Sequence, residues 1–289
     1  MKTQKTWFIT GASRGFGLEI TKAVLASGDK VVGTVRSKGP ELSAQLNNDP
    51  NLLVVTMDVT NEQQVKAAVQ QAVDQFGQIN ILINNAGYGL LSGVEEATNE
   101  EVKQNYEVNV FGALNVIRAV LPFMREKRAG HIINISSVGG LGAYMGWGLY
   151  GSTKFAIEGI TEALAMEVAP LGIKATVVAP GFFRTNFLDE SSLISSKQII
   201  SDYAETVGAM REFAAKANNK QPGDPEKLAQ AFIALGNSEN PPVHLPLGKD
   251  TLDRFRAKTT AFEMEITDWL DTITGTDHDD VEAKFQEAE

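Results

Sequence analysis

The chain has 289 residues, 43% of them hydrophobic, with a formal net charge of -10. That length suits one large α/β domain, and the acidic balance argues against nucleic acid or an anionic membrane as partner, because both select clustered Lys and Arg. The absence of cysteine excludes disulfides, thiolate nucleophiles and Cys-ligated zinc, and His131, His244 and His278 have no metal-ligand spacing, so no metal site is expected.

The N-terminal MKTQKTWFIT leaves no room for a cleaved signal ahead of Gly11–Gly17, and no run approaches the ~20 apolar residues of a membrane span. A cytoplasmic location is therefore expected. Thr6–Thr10 predicts a first strand, and a helix is expected over Gly15–Ser27. Strands follow at Lys30–Val35 and Leu52–Thr56, rich in Val and bounded by turn residues. Asn61–Phe76 carries Val65, Ala68, Val69, Ala72, Val73 and Phe76 at helical spacing. A strand at Ile79–Asn84 and a long helix over Asn99–Arg128 come next. His131–Ser136 predicts a fifth strand, with His131 read as structural, then a helix over Tyr150–Ala169 and a strand at Ile173–Ala179. Continuously apolar strands suit a sheet covered on both faces, and β-α-β-α-β order gives a parallel, doubly wound α/β sheet in a single domain. Ligands then bind beyond the carboxyl ends of the strands.

After Pro180–Gly181, Ile199, Ile200, Tyr203, Val207, Met210 and Ala214 form an apolar stripe. It fits either a helix packed on the body or a mobile roof over a pocket. The chain divides into a core (5–186), a substrate lid (187–222) and C-terminal helices with a tail (223–289). Asp224–Pro225 has the form of an N-cap followed by proline at the first helical position. PPVHLPLG is compatible with a short edge strand. Residues 249–289 hold one amphipathic helix and an acidic end.

TGASRGFG (Thr10–Gly17) lies between the first strand and the first helix. Its glycines, Gly11, Gly15 and Gly17, permit a sharp turn and the close approach of a pyrophosphate to the helix N-terminus. An NAD site commonly carries an acid near the end of the second strand. Here that end reads GTVRSK, with Val35 and then Arg36, and Arg14 sits inside the glycine loop. Guanidinium groups suit a 2′-phosphate, so NADP(H) is favoured over NAD(H). In YGSTK, Tyr150 and Lys154 fall one helical turn apart on one face, and a neighbouring cation makes a phenol easier to ionise.

These segments together resemble the short-chain dehydrogenase/reductase family. The resemblance covers Lys5 to Asn186 and includes TGASRGFG, Asp58–Val59, NNAG (Asn84–Gly87), Asn109 in YEVNVFG, NISS (Asn134–Ser137), YGSTK and PGFFRT (Pro180–Thr185). It implies a Rossmann fold. It also implies that Gly11, Ser13, Arg14, Gly15, Phe16 and Gly17 wrap the pyrophosphate and adenosine, and that Asp58 and Val59 flank the adenine. Asn85, Ala86 and Gly87 would line the ribose. Pro180, Gly181 and Thr185 would complete the cofactor surface, with Thr185 at the nicotinamide carboxamide. Ser137, Tyr150, Lys154 and Asn109 would be the catalytic group, Ser137 rather than Ser136 because it lies thirteen positions before Tyr150.

The implied chemistry interconverts a ketone or aldehyde and a secondary alcohol, with hydride from nicotinamide and a proton from Tyr150. Lys154 and the oxidised nicotinamide would lower the phenol pKa, and ~3 units would be worth ~4 kcal/mol. Ser137 would hydrogen-bond the substrate oxygen. Lys154 would also hold the ribose hydroxyls, and Asn109 a water relaying protons from it. Val138, Leu141, Tyr144, Met145, Trp147, Tyr88, Leu90, Phe182, Phe183 and Phe187 would make an apolar wall for a bulky hydrophobic carbonyl. An NAD(H)-preferring dehydrogenase and a non-catalytic NADP-sensing protein remain alternatives, the latter disfavoured by the intact Tyr/Lys pair. Short members of the family often form tetramers, so a homo-oligomer, dimer or tetramer, is possible, although the added tail could block one such surface.

Overall fold

The computed structural model describes residues 4–278. Among these are the strands β1 (Thr6–Thr10), β2 (Lys30–Val35), β3 (Leu52–Thr56), β4 (Ile81–Asn84), β5 (Gly89–Leu91), β6 (Gly130–Ile135), β7 (Ile173–Pro180), β8 (Leu193–Ser195) and β9 (His244–Leu247). The α-helices are α1 (Gly15–Ala26), α2 (Gly39–Gln45), α3 (Glu62–Phe76), α4 (Asn99–Tyr106), α5 (Gly112–Lys127), α6 (Val138–Leu141), α7 (Gly148–Val168), α8 (Ala209–Ala217), α9 (Pro225–Asn237), α10 (Lys249–Asp268) and α11 (Leu270–Thr274). Seven strands form one parallel sheet in the order β3-β2-β1-β4-β6-β7-β9, while β5 and β8 pair separately.

The strands run apolar without alternation because both faces are covered. In β1, Phe8 enters a core shared with α3, α5 and α7, while Trp7 and Ile9 enter the opposite core against α1 and α9. Successive strand residues point to opposite faces, so one short run feeds two cores. Burying each large apolar side chain contributes about 1.5–3 kcal/mol. Helix ends follow local chemistry. Asn61 caps α3 by accepting from the Gln63 and Gln64 N–H groups, and Gly77 ends it in the left-handed region. Asp224 caps α9, with Pro225 at its first position. Asn99–Lys127 is long and apolar enough to cross a bilayer by length and composition, yet it lays Val116, Ile117, Val120 and Met124 into the core.

The predicted strand at Ile79–Asn84 begins two residues later, because the Asn80 side chain is used to accept from Thr6 N–H at 2.8 Å. The short elements α2, β5, α6 and β8 are too brief for a periodic pattern to reveal. His131 is buried and bonded to Thr176 Oγ1 at 2.8 Å; burial first, then the charges of Lys174 and Lys5, pull its imidazole down to about 4. It is therefore neutral and structural. PPVHLPLG supplies the edge strand β9. The acidic end beyond His278 lies outside the described residues.

The chain runs outward from β1 to β2 and β3 on one side and returns through β4, β6, β7 and β9 on the other. The direction reverses between β1 and β4, which opens a cleft beyond their carboxyl ends.

Candidate functional site

The loop Gly11–Arg14 leaves β1 at that cleft. Gly11 and Gly15 have φ of 68° and 54°, conformations that glycine adopts without strain. A Cβ on Gly17 would sit 2.6 Å from Asn85 Nδ2 and closer still to the Gly11 carbonyl oxygen. Asn85 explains the fit: its Nδ2 donates to Thr10 O and Gly11 O at 2.9 and 3.0 Å. Thr10 Oγ1 in turn accepts from the Asn85 and Ala86 N–H groups, both at 3.0 Å. The glycine loop and the Asn85–Gly87 segment are thus locked together. Thr10 was not singled out from sequence; a hydroxyl residue directly before the first loop glycine was its only signal.

Helix α1 opens on this cradle with no side-chain cap and no acidic residue in its first turn. Its first N–H groups and positive end suit an anion. Phe16 packs edge-on against Phe183 at 5.6 Å, and Thr185 faces Gly15 across the cleft. Pro180 ends β7 buried, and Gly181 N–H donates to Leu247 O at 2.9 Å.

The remaining cofactor-side residues are more dispersed. Ser13 and Arg36 are exposed. Arg14 is turned onto the 187–222 segment, donating to Ser191 O at 2.5 Å. Asp58 holds its own turn, accepting from Thr60 N–H and Oγ1 at 2.9 and 2.8 Å. Val59 is buried against Gly112.

Ser137, Tyr150 and Lys154 converge at the carboxyl end of β6. Ser137 leaves that strand in extended backbone and accepts from Gly139 N–H at 3.1 Å; its hydroxyl is close enough to the Tyr150 phenol to lower its pKa. Ser136 points inward instead, to Lys154 O at 3.4 Å. Tyr150 and Lys154 share one face of α7, with the Lys154 Nζ 5.7 Å from the Tyr150 ring centre. Lys154 Nζ donates to Ile135 O at 2.9 Å.

Electrostatically the site departs from the expectation drawn from the Tyr/Lys spacing. Burial pushes the Tyr150 phenol above its ordinary value, and the neighbouring Ser137 hydroxyl offsets only part of that. The same burial pulls the Lys154 ammonium down to about 8, with Glu158, one turn further along α7, pulling it back up. Desolvation outweighs the effect of Ser137, and burial thus favours the neutral phenol.

Asn109 lies in a π-helical turn, Glu107–Phe111, between α4 and α5, an irregularity that recurs at functional sites. Its Oδ1 accepts from Tyr88 N–H, and its Nδ2 donates to Tyr88 O and Thr153 Oγ1, at 3.0, 3.0 and 3.1 Å. Both amide hydrogens are therefore used. Asn109 braces the Gly87–Tyr88 segment against α7.

An aromatic cover closes over Tyr150. Trp147 and Phe187 lie 5.8 and 5.7 Å from its ring and stack on each other at 6.5 Å. A Cβ on Gly89 would meet Leu193, Phe187 and Trp147 at 2.9, 3.1 and 3.2 Å. Of the predicted wall, Trp147 and Phe187 are placed here, whereas Leu90 is buried in β5, Met145 is largely exposed and Tyr144 stacks on Arg254. Leu193, missed from sequence, arrives through β8 pairing with β5.

The cover is tied down at Glu96, whose side chain is fully buried. Its carboxylate accepts from Gly93 N–H at 2.9 Å, from Ile200 N–H at 3.0 Å and from the Arg211 guanidinium. Burial pushes this carboxyl up, but Arg211 and the two N–H groups outweigh it and hold it at about 2. The predicted stripe splits accordingly: Val207 and Ala214 face inward, while Ile199 is exposed.

Comparison with known proteins agrees with this architecture. A family model described as short chain dehydrogenase matches residues 5–193. A 3-ketodihydrosphingosine reductase from Bacteroides thetaiotaomicron is 38% identical over 241 residues, 83% of this chain and 86% of the relative. The crystal structure of a short-chain dehydrogenase from Streptomyces avermitilis superposes with a TM-score of 0.89 at 37% identity, covering 96% of this chain and all of that one. A structure of ElxO with NADP bound matches with a TM-score of 0.72 at 27% identity, covering 87% of this chain and all of its own. The chain belongs to the short-chain dehydrogenase family.

Proposed function

We propose that the protein is an NADP(H)-dependent oxidoreductase that reduces a bulky hydrophobic ketone or aldehyde to the alcohol. The observation that carries this reading is the convergence of the buried Tyr150 phenol with Ser137 and Lys154 at the carboxyl end of β6, beneath the aromatic cover. The cradle of Gly11, Gly15 and Gly17 at the uncapped start of α1 fits a pyrophosphate, and Asn85, Ala86, Gly87 and Thr185 line the same cleft. The cofactor would be held there and supplies the hydride when bound. Arg36, with no acid at the end of β2, supports the phosphorylated form, as does the NADP held by ElxO.

Tyr150 donates its proton to the carbonyl oxygen as that oxygen gains charge, a task that suits a phenol kept protonated by burial. Ser137 donates a hydrogen bond to the same oxygen. Lys154, with a pKa of about 8, is poised to resupply the proton. Asn109 and Thr153 keep the Tyr88 segment in place beside it. Residues 187–222 act as the lid: Phe187 and Leu193 exclude water and offer the substrate an apolar surface, and Glu96 latches the segment to the body. The name of the Bacteroides relative, a reductase of a keto compound, supports a ketone.

The test is an NADPH-consumption panel of hydrophobic ketones, aldehydes and 3-oxo esters. Turnover of at least one apolar carbonyl is expected. Tight NADPH binding without turnover across the panel would favour a cofactor-sensing protein instead.

A further inference from the structure

Helix α10 leaves the body of the protein along its length. Its first turns are held down: Asp250 accepts from Phe182 N–H at 2.7 Å, Thr251 is buried, Arg254 donates to Ala143 O, and the Lys258 ammonium lies 4.5 Å over the Phe155 ring. Beyond Lys258, the side-chain hydrogen bonds of Thr259, Thr267, Thr274 and Thr276 all go to carbonyls of the arm itself. Yet Phe255, Phe262, Ile266, Trp269 and Ile273 recur at helical spacing on this arm, and Phe262 and Trp269 are 59% and 61% exposed. Most helical stability in proteins comes from packing an apolar face, yet beyond Lys258 the arm is exposed except at half-buried Ile266, and an apolar stripe of this extent marks an interaction surface.

The charges say what covers it. Residues 249–258 carry Lys249, Arg254, Arg256 and Lys258 against Asp250 and Asp253; residues 259–273 carry Glu263, Glu265, Asp268 and Asp271 and no Lys or Arg. The arm is basic in its first half and acidic in its second, with Phe262 near the junction. Two such arms are complementary when they run antiparallel, and they repel when parallel. An anionic bilayer is a poor occupant, because the acidic half carries most of the exposed stripe.

We propose that α10 and α11 are a self-association arm: two copies of the chain pair antiparallel through this stripe, with Phe262 at the two-fold axis. That pairing sets Phe255 against the partner's Trp269, and Lys258 against the partner's Glu265 on one flank of the stripe, each contact occurring twice by symmetry. It uses the arm itself as the interface.

Sedimentation and light scattering of the full chain over a wide concentration range test this. The wild type is expected to form an assembly whose mass halves in Phe262→Asp. Lys258→Glu and Glu265→Lys should each weaken self-association ~10-fold, since each reversal acts twice across the axis, and the double variant should restore it. The chain has no cysteine, so Phe262→Cys should join to itself on mild oxidation, whereas Thr276→Cys should not. These positions lie on an exposed surface, so NADPH binding and the melting temperature serve as controls for folding. A wild type that stays monomeric at every concentration overturns the proposal. So does an assembly unchanged by Phe262→Asp, or a double charge reversal that fails to restore pairing.

Discussion

The Lys154 ammonium stands 5.7 Å from the centre of the Tyr150 ring while donating to Ile135 O, and both side chains are buried. In this pair burial acts in opposite chemical senses. It raises the phenol and lowers the ammonium, because each is pushed toward its neutral form. A neutral phenol beside an amine with a pKa of about 8 is suited to giving up one proton and receiving another.

Tyr150→Phe keeps the ring and its contacts with Trp147 and Phe187 but removes the proton. Turnover is expected to fall ~10³-fold, within the range for loss of a general acid. NADPH binding, followed by nucleotide fluorescence, should be unchanged. Retention of more than a tenth of the activity would sink the assignment.

Reduction should decline as pH rises through about 8, where Lys154 loses its proton in the folded protein. Glu158 favours the ammonium, so Glu158→Gln should move this alkaline limb to lower pH. A pH–rate series on both proteins checks the direction of the move. A shift to higher pH would contradict the electrostatic picture.

Glu96→Ala removes the latch and leaves Arg211 without its buried partner. A stability loss of about 3 kcal/mol is expected, as for one member of a buried pair. Protease cleavage within 187–222 should speed up, and KM should rise more than kcat falls. The folded carboxyl sits at about 2 against an ordinary 4.5. The contribution is therefore fully present above 4.5 and is lost as pH falls toward about 2. Denaturant titrations should show wild type and variant converging in that acidic window.

Arg36→Asp places a carboxylate where a 2′-phosphate would lie. NADPH affinity should fall at least tenfold relative to NADH, measured by titration of both cofactors. Unchanged NADPH affinity would remove the case for the phosphorylated cofactor.

Much of this site was legible in the chain because its signals are local. The TGASRGFG turn needs only the end of β1 and the start of α1, and Tyr150 and Lys154 share a face by helical geometry alone. The choice of Ser137 over Ser136 rested on a spacing, and the structure turns the two hydroxyls in different directions. Leu193 was invisible because β8 reaches the site only by pairing with β5, a hundred residues away in the chain. Glu96 and Arg211 carried no motif, and their bond spans 115 positions. The stripe around Ile199–Ala214 was ambiguous for a related reason: periodicity tells which residues share a helix face, but not what that face meets.

Sequence alone determined the order of the main strands and the long helices between them, the doubly wound sheet, the glycine turn after β1 and the Tyr–Lys pair. Each depends on interactions within a few residues or on the alternation of apolar segments. Tertiary structure decided the burial of Tyr150, the hydrogen bonds that tie Asn109 to Tyr88 and Thr153, and the closure of the aromatic cover. Desolvation is a sum over everything packed around a group, and that sum exists only once distant segments have come together.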